Sequence, residues 1–306
     1  MFSKIERNPY LILAIIAGGF ILFGFSTSLP KITDFMIFCI FVLGFDLLYG
    51  HMGQLSFGHM LYLGAGSYGT AIFAAFVTSD PLVAIAVGIF TATLLAFLLG
   101  LIVVRTSGAC FALLNLALNE VGAFMVLVPF PQWTGGEDGL SLFFKSYGFI
   151  NFANPTFLFF FVLGSLLAVS YVIMRFVRSP YGLFLRATKE NEVRVRFLGY
   201  NTYIYKLITF IFSGSIAGFA GALNTINLSY TNPSLIDPTR NVEVIFAALM
   251  GGAGNVMGAI VGGTAFMTIS NYLARYILRW EMFLGIALLV FAFKFREGIW
   301  GYLRKV

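Results

Sequence analysis

The stretch Ser179–Asn201, SPYGLFLRATKENEVRVRFLGYN, decides how the chain is read. It is a strongly polar interruption in a sequence that is otherwise nearly all hydrocarbon. Between Arg175 and Arg196, just ahead of it and within it, lie six cations, Arg175, Arg178, Arg186, Lys189, Arg194 and Arg196, with Glu190 and Glu192 among them. Ser179-Pro180 closes the apolar run before it, because proline lacks an N–H and disfavours a helical residue in front of it. Leu183 onward reads as a short helix. Gly199 is placed to stop it, since glycine accepts the left-handed geometry of a C-cap. A short charged helix between two apolar runs suits a docking surface for a soluble partner. On charge alone, an ordinary cytoplasmic loop obeying the positive-inside rule is the simpler reading.

The sequence around this stretch excludes a water-soluble fold. Of 306 residues, 59% are hydrophobic and only 10% charged, with mean hydropathy +0.90. A soluble domain of that balance could not cover its own surface. The class is an all-α polytopic membrane bundle, one domain over residues 1–306, with about eight to ten membrane segments. The 33 glycines fit close helix approach. The net charge of +6 speaks of topology and not of nucleic acid. Cys39 and Cys110 each lie within an apolar run, which gives no disulfide or thiolate–metal framework. The run Tyr10–Leu29 is longer than a signal-peptide core, so it reads as a retained span.

A span needs roughly 20 apolar residues to cross about 30 Å of hydrocarbon. Ten segments are read on that basis: Tyr10–Leu29, Phe35–Tyr49, Met60–Thr78, Leu82–Val104, Ala109–Phe130, Pro155–Val177, Thr202–Leu228, Val242–Met250, Val256–Leu278 and Met282–Phe295. The eighth is short enough to be a re-entrant half-span. With the amino terminus inside, thirteen cations lie on the inner face and five on the outer, which favours this orientation over its inverse. The inner ones are Lys4, Arg7, Arg105, the six of the central stretch, Lys294, Arg296, Arg304 and Lys305. The outer ones are Lys31, Lys145, Arg240, Arg275 and Arg279. Lys206 sits within a span near its inner end, where it can snorkel. Both termini are then cytoplasmic. The Gly-rich stretches 50–69 and 251–263 suggest two corresponding broken-helix regions, a pattern that marks binding sites in transporters.

The ionisable and polar groups within or beside spans are Asp46, His51, His59 and Glu120, with Asn115 and Asn119 near the last. Such groups usually face a bundle interior or water. They serve either as a polar lining for a substrate path or as interhelical hydrogen-bond glue. Two histidines and one aspartate make a poor metal set. Ser56 and His59 have the residue types of a nucleophile and its base but no orienting third group. No G-x-x-x-x-G-K-[ST] phosphate loop is present, so ATP binding by that device is excluded. No cofactor is expected.

Five motifs in chain order resemble one family. Gly182, Arg186-Ala187, Glu190, Glu192, Arg194 and Leu198-Gly199 resemble the cytoplasmic coupling loop of ABC importer permeases, in the branched-chain amino acid (LivM-type) form. GQLSFGHMLYLGAGSYGTA (53–71), WTGGEDGLS (133–141), FSGSIAGFAGAL (212–223) and GGAGNVMGAIVGG (251–263) are similar to further stretches of the same permeases. The resemblance implies a bacterial inner-membrane permease subunit, without enzymatic activity of its own, that imports branched-chain or other neutral amino acids. It implies pairing with a paralogous permease, two cytoplasmic ATP-binding subunits and a periplasmic substrate-binding protein. The loop 178–201, through Gly182, Leu183, Arg186, Ala187, Glu190, Glu192, Arg194 and Gly199, is then the coupling element. Close packing against the ATPase would explain Ala187 and Gly199. Gly53, Gln54, Ser56, His59, Asn115, Asn119 and Glu120 are expected to line or border the substrate path. Related permeases carry urea, amides or small aromatic acids. In another class, a secondary transporter would couple to ions through Asp46 or Glu120.

Overall fold

In the computed structural model, described for residues 8–26, 28–145, 151–276, 282, 285–286 and 298–305, proline and a polar residue before it open several of the helices. α1 (Pro9–Ser26) is apolar throughout. α2 (Leu29–Asp46) carries proline in its first turn and continues as a π-helical segment, Leu47–Met52. After an extended stretch come α3 (His59–Phe76) and α4 (Pro81–Val103). Asp80 caps α4 by accepting from the N–H groups of Leu82 and Val83. α5 (Gly108–Leu127) is followed by the single turn α6 (Pro131–Thr134) and the short strand β1 (Leu140–Ser141). α7 (Pro155–Arg178) is capped by Asn154, which accepts from Thr156 N at 2.9 Å. Then follow α8 (Pro180–Phe197), α9 (Thr202–Leu228), β2 (Tyr230–Thr231), α10 (Asn241–Gly251), α11 (Val256–Tyr276) and α12 (Gly298–Lys305).

Among the described residues, six helices are long and apolar enough to cross a membrane: Leu29–Met52, α4, α5, α7, α9 and α11. The expected polytopic all-α bundle is what forms. The second span is longer than read, starting at Leu29 rather than Phe35 and running on to Met52, because Asp46 and His51 are accommodated inside it. The tenth segment, Met282–Phe295, lies largely outside the described residues.

The loops gather into two faces. On one, β1 pairs antiparallel with β2, Leu140 opposite Thr231, and Lys145 N donates to Ser79 O. On the other, Gly108 N donates to Gln54 Oε1, and Gly298 lies against Gly252. The cation count divides these loops into the same two sets, except that Arg240 adjoins Asn241, which bonds to the start of α3. α10, with 11 residues, reaches only about 16 Å, half the hydrocarbon thickness. The chain still passes between faces here: 3₁₀ turns lead from β2 inward, and α10 completes only the second half.

The core is built on close approach. α9 packs on α3 and α4, and α3 on α4. A Cβ at Gly66 would lie 2.1 Å from the Gly218 carbonyl oxygen, and one at Gly221 would lie 1.9 Å from that of Leu63. Backbones at such range admit no side chain between them. Ser67 Oγ, 2.6 Å from both Thr225 Oγ1 and Thr231 Oγ1, joins the same helices by hydrogen bonds.

Candidate functional site

Two helix starts meet in the middle of the bundle. Asn241, the first residue of α10, accepts from Met60 N at the start of α3, at 3.0 Å. The extended stretch 53–58 explains the depth. Gln54 sits level with Gly108, the first residue of α5, whereas a Cβ on Gly58 would meet the carbonyl oxygen of Asn115 at 2.0 Å, two turns further along α5. α3 and α10 therefore begin at one depth and run to opposite faces, with their positive dipole ends together. Extended backbone at this depth is tolerated because protein surrounds it.

His59 opens α3 and is fully buried among Phe41, Phe45 and Tyr62, ring centroids 5.5–5.8 Å away. Ser213 Oγ donates to Gly44 O at 2.5 Å and lies 3.3 Å from His59 Nε2. With its proton committed to Gly44, Ser213 accepts from Nε2–H. Nδ1 has no partner. Ser56 is buried and accepts from Gly58 N. Asn115 and Asn119 lie on the buried side of α5. Asn119 Nδ2 donates to Ile236 O at 2.7 Å and Asn115 Nδ2 to Phe111 O at 2.8 Å. Glu120 does not share their side: it is exposed, on the flank that also presents Leu113, Val121 and Phe124. Gln54, Ser56 and His59 follow one another along the stretch behind α5, whose buried side carries Asn115 and Asn119; the members of this polar seam bond to other groups and not to one another, and Glu120 faces away from it.

On the face where Gln54 meets Gly108 lies a second junction that ties distant segments together. Asp46 accepts from Gly254 N at 2.8 Å, and His51 Nε2 lies 3.8 Å from its other oxygen. Gly50 fits against Gly254 so closely that a Cβ would lie 2.3 Å from the Gly254 nitrogen. The two Gly-rich stretches singled out in the sequence therefore touch. The π-helical geometry of Leu47–Met52 frees the Gly50 carbonyl, which accepts from Lys189 Nζ on α8 at 2.7 Å. Gly53 follows with φ +74°, and a Cβ there would meet Lys189 Cγ at 2.7 Å. His51 and His59 belong to separate junctions. Lys189 and Ser213 had no signal in the sequence beyond residue type, since their partners lie over a hundred residues away.

α8 begins at Pro180, earlier than the Leu183 read from sequence, and breaks at Asn191 (φ −158°, ψ 94°). Asn191 Oδ1 then caps the second half by accepting from Arg194 N. Glu192 holds this half to the bundle through Lys206 Nζ at 2.5 Å, Arg196 and Thr202. Burial alone would raise its pKa, but the bonds and charge of Lys206, with Arg196 and Thr202, bring it below the ordinary carboxylate value. Leu185, Thr188, Val195 and Gly182 face the bundle, and a Cβ on Gly182 would strike Val177 O. Arg186, Ala187, Glu190 and Arg194 are exposed, as are Leu183 (64%), Val193, Phe197 (86%) and Leu198. Gly199 has open space around it, so its φ of +86° at the helix end, and not close packing, requires the glycine.

The comparisons with known proteins fit this architecture. The chain is 26% identical to the high-affinity branched-chain amino acid transport system permease protein LivM of Salmonella typhimurium, covering 94% of this chain and 73% of that protein. Against LivM of Escherichia coli the figures are 25%, 94% and 72%. It is also 26% identical to a probable branched-chain amino acid transport permease protein LivH of Methanocaldococcus jannaschii, over 56% of this chain and 52% of the other. No solved structure matches. The family described as "Branched-chain amino acid transport system / permease component" matches residues 29–293, and the chain, a multi-pass membrane protein, belongs to that family of ABC-importer membrane components.

Proposed function

We propose that this chain is the permease subunit of an inner-membrane importer for branched-chain or other neutral amino acids, both termini cytoplasmic, with α8 as the seat of a cytoplasmic ATPase. The carrying observation is the two-sidedness of α8. Its inner side is bonded to the bundle through Lys189 and Glu192, while Leu183, Val193, Phe197 and Leu198 are left bare beside charged residues. Uncovered apolar groups on a charged helix outside the bundle suit a protein partner. Two such ATPases serve the complex, one on each permease, and a periplasmic binding protein delivers substrate to the outer face. The second permease is a paralogue, and α5 supports that pairing. A carboxylate on an apolar membrane flank is costly in lipid, so Glu120 calls for protein or water against it. The substrate path then runs along α5 between the two permeases, with Glu120 facing it and the seam of Gln54, Ser56, His59, Asn115 and Asn119 forming its wall.

The test is crosslinking in the assembled complex. Cysteine at Leu183 or Ala187 is expected to join to an ATPase subunit, and Ala187→Glu to lower uptake and ligand-stimulated hydrolysis together. Thr188 is unsuitable because it is buried and bonded to Phe184 O. Absence of crosslinks from both positions, with normal uptake by Ala187→Glu, makes α8 a topological anchor only.

A further inference from the structure

A cavity of about 280 Å³ opens near the outer ends of α2 and α9 and descends to the start of α3. It lies on the side of α3 away from the α5 flank. Its polar lining comes from four elements: Asp34 of α2, Asn224 of α9, Arg240 just before α10, and Glu243 in the first turn of α10. Two carboxylates, a guanidinium and an amide therefore border one small space. Among the described residues, the Asn224 amide nitrogen, buried in the cavity wall, has no partner. Asp34 accepts from Asn227 Nδ2, which fixes its carboxylate. The rest of the wall is apolar, with Phe38, Phe41, Met60 and Leu63 at the deep end. Phe41 stacks on His59, so the cavity floor rests on the buried seam.

The geometry points to a binding site for one free hydrophobic amino acid in its zwitterionic form, within this single chain and apart from the path along α5. This assignment rests on the amino acid import reading. The chemistry is complementary part by part. Arg240 and the Asn224 N–H donors suit the α-carboxylate. Asp34 and Glu243 suit the α-ammonium. Phe38, Phe41, Met60 and Leu63 suit a branched aliphatic side chain. The amino-terminal ends of α3 and α10 meet at this depth and favour the carboxylate further, as half-helix ends do in other carriers. Ligand pockets usually run from about 300 Å³ upward, so this one sits at the small end, suited to an amino acid rather than a peptide.

The test uses the complete complex in nanodiscs without binding protein, in a chain carrying Cys110→Ser and Leu228→Cys. Leu228 lines the cavity and is exposed, while Cys39 is buried. L-leucine is expected to slow alkylation of this cysteine in a saturable way. Isovalerate and isoamylamine, each lacking one of the two charges, are expected to give little protection. Arg240→Gln and Asp34→Asn should each weaken protection by about tenfold, the worth of one charge-assisted hydrogen bond. Equal protection by isoamylamine would overturn the assignment, because the cavity would then read a cation only. ATP-driven uptake is measured on the same complex with its binding protein. Leucine uptake without any protection overturns the cavity assignment and leaves the import reading standing. Absence of uptake of every neutral amino acid overturns the import reading and the assignment with it.

Discussion

Replacing Lys189 with methionine removes one bond from the joint between α8 and the end of the second span. The side-chain stem is kept, so packing changes little. The bond lost is Lys189 Nζ to Gly50 O, at 2.7 Å. A hydrogen bond from a charged donor contributes about 1.5–3 kcal/mol when enclosed. The residue is largely exposed, so about 1–1.5 kcal/mol is the appropriate figure here, close to a tenfold change in how often the joint is held. The effect belongs to transmission between α8 and the bundle and not to either end alone. In reconstituted complex, basal ATP hydrolysis should therefore stay near normal. Ligand-stimulated hydrolysis and uptake should fall together, by several-fold. Gly53→Ala strains the same joint, through a Cβ 2.7 Å from Lys189 Cγ and a φ of +74°. The double variant should be much less than additive, as expected for residues in contact. Normal stimulation and uptake in Lys189→Met, alongside a defect in Ala187→Glu, would show that α8 signals through other contacts and refute the reasoning.

Three further outcomes are expected. Gly66→Ala should sharply reduce the amount of folded protein recovered in detergent, because its Cβ would lie 2.1 Å from Gly218 O, whereas Gly164→Ala, with open space, should be neutral. Glu192→Gln should loosen the second half of α8, seen as faster hydrogen exchange over 192–198. Because the Glu192 pKa is depressed in the fold, its contribution is complete above the ordinary carboxylate value, near 4.3, and is lost only as pH falls through the lower folded value; wild-type exchange there should be constant from neutral to mildly acidic pH. His59→Ala, which empties a site among three aromatic rings, should cost about 2–4 kcal/mol in thermal unfolding, while Gln54→Ala, at the half-exposed contact with Gly108, should change thermal stability little.

Much of the bundle is legible in the sequence because hydrocarbon length sets spans directly. Misplaced boundaries have identifiable causes. Lys31 and Asp34 look like loop residues, but Pro30 marks the true start of α2. The span read to Tyr49 runs on to Met52, and Asp46 within it is bonded to the Gly254 N–H, 208 positions away, a partner that local pattern cannot show. The break at Asn191 had a usable signal, an asparagine three residues before Arg194 amid helix formers. The division of α5 was also readable. Asn115 and Asn119 are four apart and share a side, and Glu120 is turned by about 100° from its neighbour. For α8, motif spacing located the helix, but which residues face the bundle depended on tertiary contacts. Thr188 and Ala187 are neighbours of similar size and lie on opposite sides. The cavity beside Asp34 and Arg240 had no sequence signature, since its lining comes from five separate stretches.

The crossings of α3 with α4 and α9 limit how the molecule can move. Where Gly66 meets Gly218 and Gly221 meets Leu63, backbone rests directly on backbone. Sliding one helix by a single residue would drive a Cβ into a carbonyl, so these three helices behave as one stator. Packed cores switch between discrete arrangements and do not deform smoothly. The links around this trio are where a transport cycle is expected to move. These are the extended stretch 53–58, the turn Gly252-Ala253-Gly254 and the break at Asn191, each lacking regular helical geometry. The first begins at Gly53 against Lys189 of α8, the second places Gly254 against Gly50 beside it, and the third lies within α8 itself. On the proposed function, a push on α8 would reach the central trio through these links.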